Sequence, residues 1–170
     1  MDAERLIAAG RRALAESQDA LDVVAEAWQA QALAQAIGSQ LALCGPQELR
    51  GEARGLSEAG GRAGSGPADS QLLGIGGLRA ARLAEVTDPR RALTLLSTLL
   101  GEVGIALVGV ACATDEEGLY WQCIEAIDAA DESNDRVRAM LRRLSLRERE
   151  RERDRDRDRE RERARGPSPG

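Results

Sequence analysis

The chain has 170 residues, which fits a single domain, and its 24 basic side chains are all arginine, because it contains neither lysine nor histidine. The lack of histidine removes the usual general base near neutral pH and the commonest transition-metal ligand, which excludes many classes of enzyme. Residues 1–146 carry 14 arginines and 21 acidic residues, a net charge of −7, so this part is expected to repel nucleic acid and anionic membranes.

The cysteines and the first residues indicate a compartment. The three cysteines are an odd number in no paired spacing, and Asp2, Glu4 and Arg5 interrupt any N-terminal apolar run of the kind found in signal peptides. We therefore expect a cytoplasmic protein with free thiols. The 29 alanines, together with the exclusive use of arginine, are typical of a GC-rich bacterial genome.

Two helices are predicted between Asp2 and Ala42, a proline-free segment rich in alanine, leucine and glutamate, with a break near residues 17–19. An apolar stripe with Trp28 beside it follows three-four spacing along the second helix: Ala30, Leu33, Ile37, Leu41 and Cys44. This face is expected to pack against another helix.

The middle of the chain contains several helix breakers. Gly45 and Pro46 end the second helix, and a short third helix is predicted through about Ala59. Residues 60–70 hold four glycines and a proline and are predicted to form a flexible surface loop. A further helix is predicted over roughly residues 78–86.

The best-defined helix is predicted at about residues 89–113, where Asp88 supplies an N-cap and Pro89 the first helical position. Its core stripe repeats every third or fourth residue: Leu93, Leu96, Leu100, Val103, Leu107 and Val110. A neighbouring face repeats in the same way with smaller residues, which allow close approach of another helix: Thr94, Ser97, Gly101, Gly104, Val108 and Ala111. We therefore expect both faces to be covered.

A returning helix is predicted at about residues 115–146, because Thr114 and Glu117 match a capping box after a very short connection. Its apolar stripe faces the preceding helix across an antiparallel hairpin: Tyr120, Cys123, Ile127, Ala130, Asn134, Val137, Leu141 and Leu144. Asn134 is the polar exception in this stripe. It either fixes register or oligomeric state from a buried position, or lies solvated at the margin of the stripe.

Residues 147–170 are predicted to be a disordered tail of mixed charge, with a frayed helical extension of the returning helix as the alternative. Arginine alternates strictly with glutamate or aspartate from Arg147 to Arg163, and this segment has no apolar residues for a core. In a helix, such alternation makes i,i+3 pairs opposite but i,i+4 pairs alike, which partly cancels the electrostatic support. The predicted fold is therefore an all-α helical bundle domain of residues 1–146, built around a long antiparallel helical hairpin, with a disordered C-terminal tail.

Metal chemistry in this chain has to rest on carboxylates. Four acidic residues at i, i+3, i+7 and i+10 of the returning helix are the candidate ligands of a Mg²⁺-dependent all-α nucleotide hydrolase: Glu125, Asp128, Glu132 and Asp135. Only Glu125 and Asp128 match half of the paired motif of such enzymes, and an ordinary solvated helix face accounts for the same pattern. We predict no metal, no cofactor and no catalytic residue.

Membrane and nucleic acid are two further candidate partners. Residues 92–113 contain a single charge, Glu102, but an acid in mid-membrane costs about 2.5–3.5 kcal/mol, and a buried hairpin helix explains the same residues. A nucleic-acid-associated regulator has four arginines of the returning helix available, besides those of the tail: Arg136, Arg138, Arg142 and Arg143. Interleaved acids neutralise most of their attraction to phosphate. We predict neither partner.

Two segments carry a resemblance to a known family. Residues 25–34, AEAWQAQALA, and residues 119–128, LYWQCIEAID, resemble an actinobacterial family of small helical proteins classed as a domain of unknown function. The resemblance covers roughly residues 1–146 and implies no assigned activity and no assigned site residues. The tail lies outside it.

The function predicted from the sequence is a non-enzymatic helical protein–protein interaction or regulatory module that self-associates into a homo-oligomer. The hairpin offers more apolar stripe than one short partner helix can cover. The candidate interaction residues are the three aromatic residues and the seam asparagine: Trp28, Tyr120, Trp121 and Asn134.

Overall fold

Five α-helices make up most of residues 1–63 and 79–166, the part of the chain that the computed structural model describes. Their bounds are Ala3–Glu16 (α1), Ala20–Cys44 (α2), Arg50–Ala63 (α3), Pro89–Ala113 (α4) and Glu117–Arg165 (α5). Two short 3₁₀ helices, Gln47–Leu49 and Arg79–Arg82, complete the regular structure, and these residues contain no β-strand. The predicted all-α class is confirmed, and so is the antiparallel hairpin, because α4 and α5 pack along each other.

Aspartate side chains fix two of the helix starts. The Asp19 carboxylate accepts a hydrogen bond from the backbone N–H of Asp22 (2.9 Å), and the Asp88 carboxylate accepts one from the N–H of Arg91 (3.0 Å). The predicted break near residues 17–19 and the predicted start of α4 are therefore confirmed.

The predicted capping box at the start of α5 is wrong. The Thr114 hydroxyl accepts a hydrogen bond from the N–H of Glu116 (3.1 Å), and Glu116 holds the N-cap position of α5 without a side-chain bond. A threonine that bonds a backbone N–H two residues on forms a local turn, which competes with helix capping. The hairpin connection is consequently three residues long.

The core of the bundle is centred on α2, which contacts each of the other four helices. The stripe predicted on α2 is buried except at Cys44, which is exposed because it is the last residue of the helix. Five of the six predicted core residues of α4 are at most 2% exposed: Leu93, Leu96, Leu100, Val103 and Leu107. Each such side chain stabilises the fold by roughly 1.5–3 kcal/mol.

α2 and α3 approach each other closely at Gly38. A Cβ atom added to Gly38 lies 2.8 Å from the backbone nitrogen of Ser57 and 2.9 Å from the carbonyl oxygen of Ala53. Both neighbouring atoms belong to the backbone of α3, so glycine is required for this spacing.

Two hydrogen bonds, one buried and one partly buried, join α5 to its neighbours at the same level. The Gln31 amide of α2 donates to the Ser133 hydroxyl (2.7 Å), and the Ser97 hydroxyl of α4 donates to the Asn134 amide oxygen (2.7 Å). Asn134 is 8% exposed, so of its two predicted placements the buried one is correct. Polar pairs of this kind favour one register of the three helices over the others.

The middle of the chain departs from the expectations in two places. α3 runs to Ala63 instead of ending near Ala59, and the remainder of the predicted loop lies outside the described residues. The helix predicted at residues 78–86 is wrong within the described part, because Arg79–Arg82 forms a 3₁₀ turn and Glu85 pairs with Asp2 in an isolated β-bridge. These contacts with the N-terminus, distant in sequence, override the local helix propensity.

Beyond Leu146 the chain is helical as far as Arg165, which corresponds to the helical extension predicted as the alternative to a disordered tail. α5 continues without a break to Arg165, and almost all of its side chains beyond Arg147 are exposed. The base of this segment is held by the bundle, because Arg147 pairs with Glu48 and Glu148 pairs with Arg90 of α4. A helix that is already nucleated extends at little cost, and arginine and glutamate are good helix formers. Ion pairs spaced i,i+3 form further along it.

Candidate interaction surface

α4 turns one long face away from the rest of the bundle. Six residues at three-four spacing form it: Thr94, Thr98, Gly101, Ile105, Val108 and Cys112. Ile105 is 76% exposed and Val108 49% exposed, although both are large apolar side chains. The face is about 27 Å long, from 1.5 Å per residue over 18 residues, and carries no charge.

The single charged residue of α4 between residues 92 and 113, Glu102, points towards α1 instead. Its carboxylate accepts a hydrogen bond from the Arg11 guanidinium, with 2.8 Å between Arg11 Nε and Glu102 Oε2. This hydrogen bond is the main reason that the pKa of Glu102 lies below its ordinary value, against the opposing effect of burial. The ion pair therefore keeps the outward face of α4 uncharged.

α4 is also the one helix among the described residues that is long and apolar enough to cross a membrane, with a mean hydropathy of 2.0. Within its most apolar 18-residue window, 28% of the residues are buried in the bundle. A helix at the centre of a soluble core is mostly buried, so α4 presents an unusual amount of apolar surface.

Two aromatic residues extend this surface across the hairpin. Tyr120 is 41% and Trp121 55% exposed, and their rings meet edge to face with centroids 5.4 Å apart. Asn134 of α5 bonds to Ser97 of α4. Tyr120 precedes Asn134 by 14 residues, or about four helical turns, so Tyr120 lies on nearly the same side of α5, next to α4. We call the six α4 residues together with Tyr120 and Trp121 the hairpin face.

The expectation that both faces of α4 are covered is wrong within the described chain. Cβ atoms added to Gly101 and Gly104 meet no heavy atom within 4 Å, so no other helix approaches there. The sequence did not indicate Ile105 and Cys112 as surface residues, because the neighbouring row of small residues repeats at the same spacing. The signal that identifies them is the uncharged three-four row that begins at Thr94.

Opposite charges stand at the two ends of the hairpin. The tip carries three exposed acidic residues, Asp115, Glu116 and Glu117. Toward the other end of α5, Arg138 and Arg142 are exposed, and no ion pair of the described part includes them. The hairpin therefore has an acidic tip and a basic region about 31 Å away, by 21 residues of helix rise.

The other two arginines considered for nucleic acid binding are occupied. Arg136 and Arg143 both pair with Glu52 of α3, at 3.3 and 3.4 Å. Only two of the four candidate arginines are therefore available to an outside partner, and a phosphate backbone needs a broader basic surface.

The candidate metal ligands lie along the solvent side of α5. Glu125, Asp128, Glu132 and Asp135 are all exposed, and no group of three or more metal-binding side chains is brought together in the described residues. Three acidic residues at the start of α2, Asp19, Asp22 and Glu26, form no such group with them either, and Glu26 pairs with Arg79. A Mg²⁺ site needs several oxygen ligands converging on one point, which this arrangement does not provide.

The remaining candidate residues are in or near the core. Trp28 packs half-buried against the core cluster, and Asn134 is bonded to Ser97, so neither lies on the hairpin face. Cys123 is fully buried, and this burial raises the pKa of its thiol, which makes it a poor nucleophile. Tyr120 and Trp121 are thus the two sequence candidates that the fold places together on an exposed surface.

Comparison with known proteins identifies the family. Searches of curated proteins and of solved structures found no match for the chain. One family matches over residues 1–143, which include all of α1 to α4 and more than half of α5. This range agrees with the resemblance noted for residues 25–34 and 119–128, and the alternating tail lies beyond it. The chain belongs to DUF6099, a family of unknown function.

Proposed function

We propose that this chain is a non-enzymatic interaction module that binds a second copy of itself through the hairpin face. The observation that carries the proposal is the 76% exposure of Ile105 at the centre of an uncharged helix face. A contiguous exposed apolar surface of this kind marks an interaction site in proteins, whereas single exposed leucines such as Leu43 are ordinary.

The size of the hairpin face supports a dimer of modest affinity. A surface about 27 Å long and two helices, or roughly 20 Å, wide covers about 500 Å² per copy and about 1,000 Å² per pair. That area lies just below the range of stable, specific interfaces. We therefore expect a dissociation constant in the micromolar range.

The charges around the hairpin face favour a protein partner over a lipid surface. Acidic residues at its tip and along its edge, including Glu117, Asp128 and Asp131, repel the phosphate groups of anionic lipids. The face itself is neutral, because Glu102 is turned to Arg11, so two copies meet without like charges at the centre of the contact.

The test is the mass of the chain in solution, compared with two matched variants. Ile105→Glu places a charge in the hairpin face, whereas Leu43→Glu places the same charge at an equally exposed leucine of α2, 77% against 76% exposed. We expect the unaltered chain and Leu43→Glu to sediment as dimers at about 100 μM and Ile105→Glu to remain monomeric.

Three outcomes overturn the proposal. The unaltered chain is monomeric throughout the micromolar range, or Ile105→Glu dimerises as well as Leu43→Glu, or the monomeric chain binds phosphatidylcholine vesicles through α4. Melting curves of the two variants, followed by circular dichroism, establish that both are folded.

A further inference from the structure

We infer that the two copies pack antiparallel, about a two-fold axis that crosses α4 between Gly104 and Ile105, so that each acidic hairpin tip meets the basic region of the other copy. This inference rests on the proposed self-association and adds its geometry and the charges that direct it. Its two supports are the order of side-chain sizes along α4 and the order of charges along α5.

The hairpin faces of two copies of α4 fit together only when the two helices run in opposite directions. Val108 protrudes from the hairpin face, and Gly101, two turns earlier, leaves open space. About an axis between residues 104 and 105, Val108 of one copy lies opposite the partner's Gly101, and the same contact occurs twice. In a parallel pair, glycine meets glycine and valine meets valine, which leaves a gap at one level and crowding at the other.

The charges of α5 select the same direction. In the antiparallel pair the tip residues Asp115 to Glu117 lie level with residues 136–138 of the partner subunit, about one turn from the partner's Arg142, because the bond between Ser97 and Asn134 sets the register of the hairpin. The tip acids, Arg138 and Arg142 are all exposed before association. In a parallel two-fold pair that uses the same face of α4, the two copies of α5 lie on opposite sides of the contact, so the acidic tip gains no arginine from the partner.

Between the ends, the same reversal places the aromatic pair beside an acidic residue. Trp121 comes level with Glu132 of the partner subunit and Tyr120 with Ser133 of the partner subunit, by the same register. The Tyr120 hydroxyl and the Trp121 indole N–H are hydrogen-bond donors, and the carboxylate of the partner's Glu132 is an acceptor. At the middle of the two α5 helices, Glu125 comes level with the partner's Asp128, so the attraction between the copies comes from the ends of the hairpin.

The test uses paired charge reversals on the full chain. Arg138→Glu with Arg142→Glu makes both ends of the hairpin acidic, and we expect dimerisation about tenfold weaker or more at low salt. Adding Glu116→Arg with Glu117→Arg exchanges the two ends and is expected to restore most of the lost affinity. In a parallel dimer, neither change gains or loses an attractive contact between the ends.

The control changes the same charge elsewhere. Arg50 and Arg54 are exposed and spaced i,i+4 like Arg138 and Arg142, but they lie on α3. We expect Arg50→Glu with Arg54→Glu to dimerise as the unaltered chain does. If this control weakens the dimer as much as the hairpin reversal does, or if the exchanged variant fails to recover although its melting curve shows it folded, the antiparallel geometry is refuted.

A disulfide measurement tests the geometry without altered charge, in a Cys44→Ser background. Antiparallel packing separates Cys112 from the partner's Cys112 by about 22 Å, too far for a disulfide, but brings it level with the partner's Thr98. We expect oxidation to cross-link the Thr98→Cys variant and not the background chain, whereas cross-linking of the background itself overturns the inference. If the chain dimerises through Ile105 but these expectations fail, the proposed self-association stands and only the antiparallel geometry is refuted.

Discussion

Replacing Gly38 by alanine tests the packing of α3 on α2. The added methyl lies within 3 Å of two backbone atoms of α3, one from Ser57 and one from Ala53, so α3 has to shift. Overpacking of this kind costs about 1–3 kcal/mol, and contact with backbone instead of flexible side chains favours the upper half of that range. Replacing glycine by alanine inside a helix stabilises the helix by about 1 kcal/mol, so the net loss in the free energy of unfolding is about 1–2 kcal/mol.

The matched control is Gly51→Ala in α3, where an added Cβ meets nothing within 4 Å. We expect this variant to gain up to about 1 kcal/mol from helix propensity alone. Urea unfolding followed by circular dichroism, at a concentration below that of dimerisation, measures both free energies of unfolding. If Gly38→Ala is as stable as the unaltered chain, or if both variants shift in the same direction, the close approach of α2 and α3 is refuted.

Three further predictions concern the ion pair, the buried polar contact and the terminal helix. The pKa of Glu102 is lowered in the folded chain, so its interaction with Arg11 stabilises the fold at pH values above the ordinary carboxyl pKa. This stabilisation is lost as the pH falls through the lowered pKa of Glu102. Glu102→Gln should therefore flatten the fall in melting temperature over that acidic range. Ser133→Ala leaves the buried Gln31 amide without its acceptor and should lower the free energy of unfolding in urea by about 1–3 kcal/mol. Gln31→Leu should destabilise the Ser133→Ala variant less than it destabilises the unaltered chain. Removal of residues 149–170 should lower the helical circular dichroism signal while leaving the melting temperature of the bundle unchanged, since the side chains of residues 149–166 are all exposed. A drop of several degrees would refute this.

The core could be predicted because large apolar residues at three-four spacing form one continuous face of a helix. Leu93, Leu96 and Leu100 had to share one face of α4, and the returning stripe through Val137 had to meet it. Asp88 was identified for a similarly local reason, since capping depends on a backbone N–H only three residues away.

The exposed face of α4 could not be predicted, because a hydrophobic pattern does not say how many neighbours a helix has. Ile105 and Val108 look like core residues in the sequence, and their exposure follows from the placement of α1, α2 and α5 on the other sides of α4. The turn at Arg79–Arg82 likewise depends on Glu26 and on the N-terminus, which lie more than fifty residues away in the chain.

The length of the terminal helix could not be predicted for a different reason. The alternation from Arg147 to Arg163 gives weak helix support when it is considered by itself. In the folded chain it extends a helix that is already nucleated and is anchored at Arg147 by Glu48, a contact that local sequence does not reveal.

The most direct measurement of the central claim is the alkylation rate of the two exposed cysteines as the protein concentration rises. Cys112 lies on the hairpin face and Cys44 at the far end of α2, and both are exposed in the single chain. We predict that Cys112 becomes several-fold slower to react as the chain passes from about 1 to about 100 μM, while Cys44 keeps its rate. Equal and constant rates for the two thiols over that range would contradict self-association through the hairpin face.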